Sequence, residues 1–161
     1  MQIALVRIDD RLIHGQVVMG WIPHLKVEVV IVAADAVASD QTQTALMQMA
    51  MPAGVELLTL SVEQAARRLC DTQDRRRVLV LTPGPLEALR LLDQGASFQS
   101  VNVGGLHYTA GRVQLGKAIF LSPEDREALR AIALRGAALE GRALPDDATL
   151  DVLEMLGEGG Q

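Results

Sequence analysis

Val27-Glu28-Val29-Val30-Ile31-Val32-Ala33-Ala34 is apolar and mostly β-branched at every position except Glu28. A run that uniform reads as a central strand buried on both faces, as parallel sheets covered by helices require. Ala36 to Met51 follows with Ala, Leu and Met near helical spacing until Pro52 and Gly54 stop it, so strand leads to helix. Before the central run, Ile3 to Ile8 is another β-rich stretch, followed by the polar Asp9, Asp10 and Arg11 and a helix-forming segment from about Gly15 to Leu25. The alternation continues towards the C-terminus. Val55 to Leu60 reads as a strand, Ser61 with Gln64 as a capping box opening a helix through about Thr72, and Arg77 to Leu81 as a strand. A helix from about Leu86 to Asp93 closed by Gly95, then a strand from Ser100 to Val103 ending at Gly104 and Gly105, come next. Ser122-Pro123-Glu124-Asp125 starts a further helix that stops near Gly136; Ala138 to Leu144 reads as a last strand and Thr149 to Leu156 as a last helix. Strands joined by helices need crossovers. The expected fold is therefore α/β: an open, mostly parallel β-sheet with helices on both faces, one domain over residues 1–157 and a frayed tail over 158–161.

Composition fits that frame. The 161 residues are 49% hydrophobic but only 2% aromatic, so aliphatic side chains build the core and little surface is left for stacking on bases or sugars. A net charge of −5 and a pI near 5.1 argue against nucleic acid and against a generally basic membrane-binding surface. Cys70 is the only cysteine, which excludes an internal disulfide or a CxxC zinc site and suits the cytoplasm. Met1 to Ile8 lacks the basic and long apolar regions of a signal peptide, and the apolar stretch Val27 to Ala38 is short and interrupted by Glu28 and Asp35. A membrane role is expected only through a partner.

In open parallel sheets functional groups gather in loops at the carboxyl ends of strands. Arg7-Ile8-Asp9-Asp10-Arg11-Leu12-Ile13-His14-Gly15-Gln16-Val17 sits at such an end and puts two carboxylates, a guanidinium and an imidazole within six positions. A neutral imidazole is nucleophilic near pH 7, and its N-phosphate stays reactive enough to hand the group on. Arg11 can clamp phosphoryl oxygens with its planar fork, joined by backbone amides of the loop and helix start. Asp9 or Asp10 can orient Arg11 or the ring, and Gly15 lets backbone approach a phosphate. On spacing alone a blander reading competes, in which His14 caps a helix and Asp10 pairs with Arg11 on the surface.

The same segment resembles the active-site motif of the IIB component of mannose/fructose/sorbose-type sugar phosphotransferase systems. The likeness extends to Val30-Ile-Val-Ala-Ala-Asp-Ala-Val-Ala38, to Ser100-Val-Asn-Val-Gly-Gly-Leu106, and to Arg135-Gly-Ala-Ala-Leu-Glu-Gly-Arg142 with Pro145 after it, in the same order along nearly the whole chain. It implies a protein-N(pi)-phosphohistidine–sugar phosphotransferase. In that reading His14 takes phosphate from the phosphohistidine of a IIA protein and passes it to a sugar handled by membrane IIC and IID subunits. Arg11 and Asp10 fall on catalytic loop positions; Asp9, Gly15, Gln16, Asp35, Asn102, Gly104 and Gly105 are expected to border phosphate or partner. The resemblance implies a cytoplasmic chain, peripheral at the inner membrane through IIC and IID, and admits a homodimer. It implies no cofactor. His14 has to lie on a flat or convex surface with an apolar rim, so that donor and sugar both approach in line. Thr82-Pro83-Gly84-Pro85 departs from the Asn-Pro pair frequent in the family, so that loop's contacts are not carried over. A module that keeps this fold but signals phosphorylation state to a regulator is the alternative.

The remaining candidates read as structural. His107 after the double glycine can reach the site but reads first as a surface histidine, as does His24. Gly104-Gly-Leu-His-Tyr-Thr-Ala-Gly111 has neither the lysine of a phosphate loop nor the register of a dinucleotide fingerprint, and three scattered histidines give no metal signal. Cys70 reads as a small packing residue within a helix. Met47, Met49 and Met51 alternate between core and boundary, and Arg75 to Arg77 form a solvated turn beside Asp74.

Overall fold

A computed structural model describes residues 1–158. Its main sheet of seven strands has β1 (Gln2–Asp9), β2 (Val29–Ala33), β3 (Glu56–Leu60), β4 (Arg77–Thr82), β5 (Ser100–Gly105), β8 (Ala138–Gly141) and β9 (Leu150–Asp151) in the spatial order β3-β2-β4-β1-β5-β8-β9. Within this sheet every pairing is parallel except β8 with β9. All five residues of β2 are buried, as an apolar run without alternation requires.

Two apolar clusters flank the sheet. Val6, Ile8, Val29, Ile31, Val78, Val80, Val101, Val103 and Leu139 pack under α4 (Val62–Leu69), α5 (Pro85–Asp93), α6 (Pro123–Leu134) and α7 (Val152–Glu158). Leu5, Val30, Val32, Leu79 and Leu81 point the other way, against Val17, Trp21, Ile22, Val37 and Met47. The latter residues come from a π-helical turn (Gln16–Trp21), α1 (Ile22–Leu25), α2 (Asp35–Ala38) and α3 (Gln41–Ala50). The chain thus leaves β1 over one face and leaves the neighbouring β4 over the other. That reversal puts the switch point of the sheet at the carboxyl ends of β1 and β4, where the Asp10–Gly15 loop lies.

Local departures from the sequence reading have identifiable causes. The helix expected over Ala36 to Met51 is broken at Ser39 and Asp40, because the Asp40 carboxylate accepts from Gln43 N–H and starts α3 afresh. The Ser61–Gln64 capping box forms, but α4 ends at Leu69 and leaves Cys70 exposed at its C-cap, its thiol 3.4 Å from the Gly95 carbonyl, so it does not pack within a helix. A hairpin of β6 (Val113–Leu115) and β7 (Ile119–Leu121), too short for an alternation signal, fills the stretch between β5 and α6. The last strand stops at Gly141 rather than Leu144, and Leu150–Asp151 pairs as β9 before α7 begins. Of the expected tail, Glu158 ends α7 and 159–161 lie outside the described residues.

Candidate functional site: a buried ion cluster beneath an exposed imidazole

Side chains of β1 alternate, so Val6 and Ile8 enter the apolar cluster while Arg7 and Asp9 face the opposite side, both fully buried. Burial of an unpaired charge is prohibitive, and here each is matched. Arg7 Nη2 donates to Asp9 Oδ2 at 2.9 Å. Arg11 donates its backbone N–H and Nε to Asp9 Oδ1, and Nη2 to Oδ2, each at 3.1 Å. Burial pushes the Asp9 carboxyl upward, but the Arg11 hydrogen bond and the charges of Arg7 and His14 outweigh it and hold the group below the usual carboxylate range. Its ionised form is therefore favoured in the folded chain. The resulting stabilisation is complete above the ordinary carboxylate pKa and is lost as pH falls through the depressed folded value. Chemical denaturation between pH 7 and pH 2 is expected to show wild type losing stability below about pH 4. Asp9→Asn starts weaker and is expected to show a shallower slope.

Above this pair the loop presents His14, whose side chain is 16% exposed. Its Nδ1 lies 2.9 Å from the Leu12 carbonyl; Nε2 lies 3.4 Å from Gln16 Oε1 and 3.6 Å from Asp9 Oδ2. Leu12 adopts φ 57°, a left-handed conformation costing a leucine about 1–2 kcal/mol, in the turn that supplies this carbonyl. Leu12 and Ile13 are buried beneath the loop and anchor it. Gln16 Oε1 also accepts from Arg11 Nη2 at 2.9 Å, so one amide joins the guanidinium to the imidazole. Arg11 Nη1 has no hydrogen-bond partner among the described residues. A π-helical turn follows, with the Val17 and Val18 N–H groups both donating to the His14 carbonyl, which removes these two amides from the set available to an anion.

The other expected residues divide sharply. Asp9 and Gln16 join Arg11 and His14. Asp10 does not touch them: its carboxylate accepts from His107 N–H at 2.7 Å, meets His107 Nδ1 at 2.5 Å and lies 3.7 Å from Arg112, tying the segment after β5 to the loop. Asp35 is likewise engaged elsewhere, accepting from Val62 N–H at 2.9 Å and Arg90 at 2.8 Å, bonds that hold it below the usual carboxylate range. Asn102 is fully buried and accepts from Arg7, so it borders the ion cluster rather than a phosphate. Gly104 and Gly105 serve the arginines. A Cβ on Gly104 would overlap the Arg7 guanidinium carbon and both its terminal nitrogens, and one on Gly105 would lie 3.1 Å from Arg11 Nη2. Gly15 has ordinary helical dihedrals and open space above it, so its glycine answers no intramolecular demand. Arg7, quoted in the motif but given no role there, is the residue that sequence reasoning missed; a charge between two strand residues otherwise apolar was its signal.

The family described as "PTS system sorbose subfamily IIB component" matches residues 3–161. The chain belongs to this family of phosphotransferase-system IIB components. Among its relatives, the sorbose-specific EIIB component of Klebsiella pneumoniae is 33% identical over 98% of this chain and 97% of that one. The mannose-specific EIIAB component of Escherichia coli is 34% identical over 98% of this chain and 49% of the longer relative. The crystal structure of the IIBSor domain of the Klebsiella pneumoniae sorbose permease superposes with a TM-score of 0.94 at 33% identity, covering 98% of each chain. As a IIB component this protein is a phosphotransferase of a sugar phosphotransferase system, working with IIA and membrane partners. Among the described residues no helix is long and apolar enough to cross a membrane, and no group of three His, Cys, Asp or Glu side chains is disposed to hold a metal.

Proposed function

We propose that His14 is the phosphoryl carrier of this IIB component, receiving the group from a IIA phosphohistidine and delivering it to a sugar hydroxyl at membrane IIC and IID subunits. One arrangement carries this reading: a part-exposed imidazole bridged by Gln16 to a guanidinium whose Nη1 is free and whose opposite edge is fixed on a buried carboxylate. In the first step the ring nitrogen of His14 that carries no proton attacks phosphorus with its lone pair, while the other nitrogen keeps its N–H on the oxygen it faces; the new N–P bond forms as the donor's N–P bond breaks and its electron pair returns to the donor ring. In the second, the sugar oxygen attacks, the His14 N–P bond breaks with its electrons returning to the ring, and the hydroxyl proton is released. Arg11 balances phosphoryl charge in both, without reorganising, because Asp9 holds it beforehand. The transferring group approaches from the open side of Gly15.

Exposed apolar side chains beside the loop suit docking by two successive partners. Met19 and Leu144 line a groove of about 380 Å³ with Gly15 and His24, and Leu86 lines another of about 320 Å³ with Arg112. The chain acts on the cytoplasmic side, held at the membrane by its partners. Incubation with phosphoenolpyruvate, enzyme I, the phosphocarrier protein and a IIA protein is expected to put one acid-labile phosphate on the peptide containing His14. Label on another peptide would refute the assignment. Arg11→Lys keeps the charge but loses the fork; forfeiting one charge-assisted hydrogen bond of about 1.5–3 kcal/mol slows transfer roughly 10- to 150-fold. Wild-type single-turnover rates in that variant would remove Arg11 from the mechanism.

A further inference from the structure

Arg7, Asn102 and Glu140 occupy the same level of three adjacent strands, Arg7 opposite Asn102 and Asn102 opposite Glu140. All three point to the face away from Val6, Val101 and Leu139. They form a closed circuit. Arg7 Nη1 donates to Asn102 Oδ1 at 2.5 Å and to the Arg142 carbonyl at 2.8 Å. Asn102 Nδ2 donates to Glu140 Oε1 at 3.3 Å, and the same oxygen accepts from Arg142 Nη2 at 2.9 Å. The guanidinium carbons of Arg7 and Arg142 each lie 5.2 Å from the Trp21 ring centroid, and Trp21 Nε1 and Arg7 Nη2 share the Ala143 carbonyl.

The chemistry of this circuit is directional. The two ends of an asparagine amide are nearly the same size but opposite in hydrogen-bonding sense. A carboxylate only accepts, so Glu140 draws the Asn102 N–H₂ towards itself and turns the oxygen to Arg7. Without that acceptor the amide can rotate and aim N–H groups at a guanidinium. Arg7 would then shift, and with it Asp9, whose Oδ2 binds both Arg7 and Arg11. We propose that Glu140, acting through Asn102 and Arg7, is a positioning residue for phosphoryl transfer. It sets the carboxylate on which Arg11 and the His14 loop are aligned, although neither Glu140 nor Asn102 touches the ring. This inference rests on His14 being the carrier.

The test uses the full chain and a phosphorylated IIA protein, with single-turnover rates measured against donor concentration. Glu140→Leu is expected to lower the maximal rate about 10- to 20-fold, at the low end of the 10- to 100-fold range typical when partners that orient metal ligands are removed. The half-saturating donor concentration should stay within about 2-fold, since Asn102 and Arg7 are buried away from any docking surface. Glu140→Gln retains an acceptor oxygen and is expected to recover the rate to within about 2-fold of wild type. Glu140→Ala, smaller at a half-buried strand position, repeats the test should the leucine variant fold poorly. Wild-type maximal rates in Glu140→Leu and Glu140→Ala would overturn the proposal, as would a defect confined to donor half-saturation or shared equally by Glu140→Gln. Label persisting in His14→Ala under the same conditions would instead remove the carrier assignment on which the proposal stands.

Discussion

His14→Ala is expected to take up no acid-labile phosphate, whereas wild type takes up one per chain, and transfer to sugar is expected to fall to the uncatalysed background. Loss is complete rather than partial because alanine supplies no lone pair, while every neighbouring group positions or neutralises and none attacks. Two other histidines make the control. His107 is exposed and bound to Asp10, and His24 lines the groove beside Gly15. If either were the acceptor, label would survive in His14→Ala and vanish in the corresponding alanine variant. His107→Ala and His24→Ala are therefore expected to retain stoichiometric label. Stability should change little in His14→Ala, by about 1 kcal/mol, since the ring's closest bond is one contact with the Leu12 carbonyl on a part-exposed loop. A phosphorylated His14→Ala chain with an unchanged fold would end the assignment.

The clustering of Asp9, Arg11 and His14 is legible because the three lie in one contiguous segment, and contiguity is what a sequence displays. Asp9 and Arg11 are two residues apart, so their pairing could be anticipated. The distant partners of Arg7 could not, since Asn102, the Arg142 carbonyl and the Ala143 carbonyl lie 95 to 136 positions away and meet it only when β1, β5 and β8 align. The double glycine is expected from the resemblance to border phosphate or partner; the space it creates is occupied by the guanidiniums of Arg7 and Arg11, which no local pattern shows. Asp10 is expected in the site because the resemblance puts it on a catalytic loop position; in the structure it is the turn residue after β1, and its carboxylate leaves towards His107. The sheet itself was read with little error because β2, β4 and the capping boxes are local patterns. The β6–β7 hairpin and the two-residue β9 carry too few positions to show a period.

Arg7→Leu tests the base of the whole arrangement and carries the largest expected stability loss. It leaves the Asp9 carboxylate fully buried with Arg11 as its remaining cationic partner, removes the donor to Asn102 and two carbonyls, and empties the space against Trp21. Breaking a buried pair from one side costs about 3–5 kcal/mol. In a chain of this size that lowers the thermal midpoint by roughly 6–20 °C. The wild-type pair need not itself be strongly stabilising; the cost is that of stranding its partner. A double variant, Arg7→Leu with Asp9→Leu, is therefore expected to recover part of the lost stability, because the stranded charge is gone. It should not recover transfer, since Arg11 then has no carboxylate to hold its fork towards His14. Stability and activity would part company in the double variant if the cluster exists to orient the loop. Restored transfer in that variant, or a single variant as stable as wild type, would show that the buried charges do not govern the site.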